Sequence, residues 1–196
     1  MDAGVVGELG MERRGEDLAL AQADHIAVHR RFDGGGRSDF GHERPADEHQ
    51  REIFEQICSI VRSEQVDAVL ISGDLYDRSL PSADAVQLLD HIFTTLTEQI
   101  GVPVLAISGN HDSADRVAFG SALLADSRVY VSPVFTGAPQ PIPLQDAHGT
   151  VDVYLLPFLK PAMVRHVWPD EPIESYNDAL ACVLRHCTPD PGHRSV

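Results

Sequence analysis

Apolar positions follow two different periods along the chain, and the switch between them predicts alternating helices and strands. From Asp47 onward, apolar side chains recur every three or four residues at Ile53, Ile57 and Val61. This spacing predicts a helix with one apolar face, and Asp47 is suited to its N-cap. The β-branched run over 67–72 is too short for a helix and predicts a buried strand.

The same alternation repeats directly afterwards. Ser82 is suited to cap a second helix, which Gly101 ends, and the apolar run over 102–108 predicts a second strand. A strand–helix–strand unit of this kind predicts two parallel strands joined by a right-handed crossover.

The pattern elsewhere predicts a single α/β domain over 18–196, preceded by a loose acidic arm over 1–17. Residues 33–47 and 136–149 are rich in Gly, Pro or charge, and we expect loop and turn structure there. The remaining predicted elements are strands over 18–22, 128–134 and 151–156 and helices over 115–126 and 175–186.

Polar side chains follow each strand of the strand–helix–strand unit after a Ser-Gly pair. Asp74 and Asp77 follow the first strand, and Asn110, His111 and Asp112 follow the second. Because the carboxyl ends of parallel strands meet at one edge of a sheet, we expect these groups to lie together. Carboxylate, amide and imidazole groups are ligands for hard or borderline divalent cations.

The chemistry of such an edge points to phosphoryl transfer. Two ions about 3.5–4 Å apart polarise a phosphoryl group and activate water. Asp74 is best placed to bridge them, and His111 to protonate the leaving oxygen or steady charge on the phosphate. Either motif alone is common in turns and loops, so the prediction depends on their pairing.

Composition limits the function classes. The chain has 15 Lys plus Arg against 30 Asp plus Glu and a formal net charge of −15. This disfavours a bare nucleic-acid-binding surface, but bound cations invert the local field. Three cysteines without a disulfide framework, and the absence of an apolar run of about 20 residues, predict a cytoplasmic protein.

The two polar blocks resemble the G-D-x-x-D and G-N-H-D/E signatures of the calcineurin-like metallophosphoesterases. Residues 73–77 read GDLYD and residues 109–112 read GNHD. The segments DRSLPS at 77–82 and LPFLKP at 156–161 are similar to the SbcD-like nuclease branch of that family.

This resemblance implies an αββα sandwich and a nuclease that uses two divalent ions, Mn²⁺ or alternatively Mg²⁺. It further implies a DNA substrate, an SbcC-type coiled-coil ATPase partner, and a role in DNA repair, recombination or replication. Whether the protein forms a homodimer is left open. By resemblance Asp74 bridges the metals, Asn110 ligates the second ion and His111 assists the leaving group. Asp77 and Asp112 are expected to be local hydrogen-bond partners of these groups.

The first signature block of the family, D-x-H, is matched only in part. Asp24 fits the first ligand, but His25 is adjacent to it instead of two residues further on. The isolated His and the G-H-x-H that the family places downstream have no counterpart here. We therefore expect the N-terminal part of a nuclease domain, without the capping domain.

Two alternatives stay open. One is a catalytically impaired or inactive remnant, and the other is a generic calcineurin-like phosphatase or phosphodiesterase. Separately, Cys182, His186 and Cys187 give a C-x-x-x-H-C spacing that is not a standard zinc pattern. From sequence alone we do not predict a metal site there.

Overall fold

A computed structural model describes residues 9–13 and 46–196, with side chains from residue 50 onward. Its first sheet has the strand order β1-β2-β3-β4. These strands are Leu9–Arg13, Val66–Ser72, Val104–Ile107 and Val129–Val131. β2, β3 and β4 are parallel, as the strand–helix–strand pattern predicts, and β1 is antiparallel to β2.

The front of the chain differs from the prediction. β1 lies inside the stretch 1–17 that was expected to be a loose arm, and it pairs along the outer edge of β2. The predicted strand over 18–22 lies outside the described residues.

Alternation along β3 explains how the first sheet is covered on both faces. Val104 and Ala106 point into a core with the helices, whereas Leu105 and Ile107 point to the opposite face. A strand buried on both sides reads as an unbroken apolar run, which is how this segment appears in the sequence.

The helical face of the sheet is covered by α1, Ala46–Glu64, and α2, Ala83–Thr94. The hydroxyl of Ser82 accepts the backbone N–H of Ala85 and caps α2. A π-helical turn, Thr95–Ile100, extends α2 until Gly101, whose φ of 92° ends it. The start at Ser82 and the stop at Gly101 are therefore confirmed.

A second sheet covers the other face of the first. Its strand order is β5-β6-β7, with bounds Pro141–Asp146, Gly149–Tyr154 and Arg194–Ser195. Val151, Val153 and Leu155 point from it toward Ala68 and Leu105. The prediction of turn structure throughout 136–149 was wrong for β5. A strand containing prolines is accommodated here because β5 is at the edge of its sheet.

The remaining helices are short. The helix predicted over 115–126 is two helices, α3 (Ala114–Val117) and α4 (Ser121–Asp126), with Gly120 at φ 72° between them. α5, Pro161–Val167, was not predicted from the sequence. α6, Tyr176–His186, was predicted and begins at a capping box.

Helices, first sheet and second sheet stack in that order, which gives three layers of the predicted αββα sandwich. α5 and α6 enclose a separate apolar cluster that contains Val164, Cys182 and Val183. No helix in the described ranges is long and apolar enough to cross a membrane.

Candidate metal centre

The ends of β2 and β3 lie side by side because their register pairs Ser72 with Ile107. The loops that follow, residues 73–78 and 108–113, therefore leave the sheet at the same edge. This is the edge at which open parallel sheets bind ligands.

Two glycines allow the loops to touch through their backbones. A Cβ on Gly109 would lie 2.1 Å from Oδ1 and 2.2 Å from the backbone nitrogen of Asp74. A Cβ on Gly73 would lie 3.0 Å from the Cα of Gly109, and Gly73 also has a φ of +86°. No residue with a side chain fits at position 109 without displacing Asp74.

Asp112 joins the two loops by hydrogen bonds. Its carboxylate accepts the backbone N–H groups of Leu75 at 2.9 Å, Tyr76 at 2.9 Å and Gly109 at 2.8 Å. Burial, followed by the negative charges of Asp112 and Asp90, raises the pKa of the Tyr76 hydroxyl. The Asp112 carboxylate thus positions the backbone around Asp74.

Asp74 lies at the centre of the contact. Its φ of 46° is in the left-handed region, which Asp tolerates better than most residues. Its Oδ1 accepts the backbone N–H of His111 at 3.0 Å, so the carboxylate of the first loop is held against the second.

His111 is exposed at the rim, and one contact that orients its ring joins it to the first loop. Nδ1 lies 3.0 Å from the backbone carbonyl oxygen of Asp77 and donates to it, because a carbonyl can only accept. The contact holds the imidazole of His111 against the loop that carries Asp74. The Asp77 carboxylate is paired with Arg78, at 2.8 Å for the closest contact.

Asn110 is exposed between Gly109 and His111 in the second loop. Together with Asp74 it offers a carboxylate and an amide oxygen at one edge of the sheet, with His111 beside them. Because Gly109 has no Cβ, the two loops approach each other closely and these ligand groups stay together. These residues fit a hard or borderline divalent cation. Asp24 and His25, the candidate ligands of the first block, lie outside the described residues.

Two further contacts at this edge were not found from the sequence. The buried Ser132, just after β4, accepts the backbone N–H of Ser108 at 3.0 Å. The backbone N–H of Phe158 donates to the Ser108 carbonyl at 2.8 Å, which places the 156–161 segment beside the second loop. A serine after a strand gives no sequence signal that its hydroxyl will accept a backbone N–H from another segment. The 156–161 segment was noticed only as a resemblance.

Comparison with known proteins agrees with this geometry. The profile of the family described as calcineurin-like phosphoesterase matches residues 28–192. The chain is also similar to the SbcD subunit of nuclease SbcCD from Staphylococcus saprophyticus subsp. saprophyticus, with 33% identity over 139 residues. These residues are 71% of this chain and 36% of the relative, so the chain spans about a third of that relative's length. With most of its length matched by the family profile, the chain belongs to the calcineurin-like phosphoesterase family.

Proposed function

We propose that this chain is a nuclease of the SbcD-like kind, which hydrolyses DNA phosphodiester bonds with the help of divalent metal ions. The observation that carries the proposal is the contact between the two loops, in which Asp74 accepts the N–H of His111 beside Asn110. The similarity to the SbcD subunit of a nuclease supports DNA as the substrate.

Asp74 and Asn110 would hold the divalent ions, with Asp74 as the ligand shared between them, and Asp24 and His25 of the first block would supply further ligands. Mn²⁺ is the ion we propose, and Mg²⁺ is the alternative with similar ligand preferences. When bound, the ions polarise the phosphoryl group and lower the pKa of water.

The residues of the chain supply position and proton transfer. The carbonyl of Asp77 holds Nδ1 of His111, so the imidazole is fixed at the rim of the edge. Water forms the new P–O bond and releases a proton to solvent, the P–O bond to the leaving group breaks, and His111 donates a proton to the departing oxygen. Asp112 keeps both loops in register during this step because it accepts N–H groups from each of them.

The charge of the chain restricts how DNA approaches. With a net charge of −15, the surface as a whole repels a polyanion. Contact with DNA therefore depends on the cations at the sheet edge and on a partner, for which an SbcC-type ATPase is the proposal. We also propose a cytoplasmic location and a role in DNA repair or recombination, and leave a homodimer to be tested.

The experiment is DNA cleavage by the purified chain with Mn²⁺, compared with its Asn110→Ala and His111→Ala variants. Asn177→Ala and His166→Ala are matched controls, because both residues are exposed and lie on α6 and α5, outside the two loops. We expect cleavage to fall by at least about 100-fold in His111→Ala and to stay unchanged in both controls. Undiminished cleavage by both edge variants would contradict the proposal.

A substrate comparison distinguishes the phosphatase alternative. A nuclease should cleave DNA and leave a small phosphomonoester intact under the same Mn²⁺ conditions. Hydrolysis of the phosphomonoester without DNA cleavage would overturn the nuclease proposal and favour a generic phosphatase. The sequence LPFLKP at 156–161, which resembles the SbcD-like branch, favours the nuclease.

A further inference from the structure

A second group of metal-ligating side chains lies away from the sheet edge, in the hairpin of α5 and α6. Within the described part of the chain, one ligand atom each from Glu171, Cys182 and His186 lies within 4.8 Å of the other two. Cys182 and His186 are four residues apart on one face of α6, and Glu171 comes from the connection between the two helices.

The imidazole of His186 is held by three contacts. Its Nδ1 lies 2.9 Å from the backbone carbonyl oxygen of Cys182, to which it donates, and 3.8 Å from the Cys182 Sγ. The ring stacks on Trp168, with 4.2 Å between the ring centroids and 21° between the planes. A carbonyl partner on one ring nitrogen is typical of metal-binding histidines, and here it fixes the orientation of the ring.

The sulfur and the carboxylate are placed differently with respect to solvent. The side chain of Cys182 is fully buried. Glu171 is 30% exposed and binds Arg185 through Oε2 at 2.7 Å. Because this contact uses Oε2 of Glu171, the other carboxylate oxygen, Oε1, can bind a cation that enters from solvent.

We propose that Glu171, Cys182 and His186 bind a single Zn²⁺-like ion at a site separate from the catalytic edge. The set of one sulfur, one nitrogen and one oxygen suits a borderline ion with tetrahedral preference, and water completes the fourth position. The thiol releases its proton to solvent when the ion binds. The site joins α6 to the connection after α5, so the ion stabilises this hairpin.

Cobalt(II) distinguishes this site from the catalytic edge. A thiolate ligand gives Co²⁺ an intense near-ultraviolet charge-transfer band, which the oxygen and nitrogen ligands at the edge cannot produce. The folded wild-type chain is titrated with Co²⁺ under reducing conditions, together with the variants Cys182→Ser, His186→Gln and Asn110→Ala. Cys58→Ser and Cys187→Ser are the matched cysteine controls.

We expect the band at one Co²⁺ per wild-type chain and in Asn110→Ala, Cys58→Ser and Cys187→Ser. Added Zn²⁺ should remove it. Cys182→Ser should lose the band, and His186→Gln should bind Co²⁺ at least about tenfold more weakly, a difference of about 1.4 kcal/mol. Absence of the band in the folded wild-type chain would overturn the proposal even if a variant failed to fold. Persistence of the band in Cys182→Ser would overturn it as well.

Discussion

Gly109 illustrates how much of the candidate metal centre depends on a single residue. Gly109 contributes only backbone atoms to the contact between the two loops. The Asp74 carboxylate occupies the space that a Cβ at position 109 would need. The sequence predicted the proximity of Asp74 and Asn110, because the strand pattern and the two motifs are local signals. It could not predict which backbone groups Asp112 accepts, since those bonds join residues 36 and 37 positions apart.

Replacement of Gly109 by Ala should disrupt the centre. The added methyl group overlaps Asp74, so we expect a loss of about 1–3 kcal/mol in the free energy of unfolding and a loss of Mn²⁺ binding. Gly101→Ala is the control, because a Cβ at position 101 has open space around it, although that residue has a φ of +92°. The control should lose about 1–2 kcal/mol and keep its Mn²⁺ affinity. Equal Mn²⁺ affinity in Gly109→Ala and Gly101→Ala would contradict the assigned role of the glycine.

Replacement of Asp112 by Asn tests the bonds between the loops. The variant keeps the shape but loses the charge, and its NH₂ group faces a backbone donor. We expect a loss of about 2–3 kcal/mol in the free energy of unfolding, measured by urea denaturation. Asp115→Asn, at an exposed position nearby, should change stability little. A stability loss as small as that of the control would refute the bridging role of Asp112.

At the scale of elements, the two-residue strand β7 is held in the second sheet by paired charges. Nδ1 of His193 lies 2.9 Å from the buried carboxylate of Asp152, and Arg194 binds Asp146. The sequence did not predict β7, because two residues carry no period. It also missed β5, because its prolines indicate turns unless the strand is known to lie at an edge. α2 and α6 were predictable because each has a serine cap and an apolar face.

The His193 contact predicts a pH dependence of stability. The hydrogen bond that His193 donates to Asp152, partly opposed by burial, raises the pKa of His193 above its usual 6.5. The stabilisation is therefore fully present below pH 6.5 and is lost as the pH rises through the raised value. The Arg194 contact lowers the pKa of Asp146, so that pair is unaffected in this range and weakens only at acidic pH.

The measurement is the free energy of unfolding of the wild-type chain and of His193→Gln between pH 5.5 and 9. We expect the difference between them to be largest at the acidic end and to shrink with rising pH. His166→Gln, at an exposed position in α5, should show no such trend. A difference between wild type and His193→Gln that is constant across this range would contradict the assigned ion pair.

For the whole molecule, the architecture explains why the metal-ligating groups meet. The helices cover one face of the first sheet, and the second sheet covers the other. Polar loops therefore reach solvent at the edge formed by the carboxyl ends of the parallel strands. The sequence predicted this α/β arrangement because β2 and β3 read as strands buried on both faces. It did not predict the second sheet in full or the Glu171 cluster, because both require contacts between segments that carry no shared motif.

The central claim is that Asp74 and Asn110 hold divalent metal at this edge, and Mn²⁺ binding tests it most directly. The electron paramagnetic resonance signal of free Mn²⁺ is measured while the wild-type chain, Asp74→Asn, Asn110→Ala and Asp126→Asn are added in turn. We predict that the wild-type chain and the exposed control Asp126→Asn bind equally, and that Asp74→Asn and Asn110→Ala bind at least about tenfold more weakly, or about 1.4 kcal/mol. Wild-type Mn²⁺ affinity in Asp74→Asn would contradict the claim.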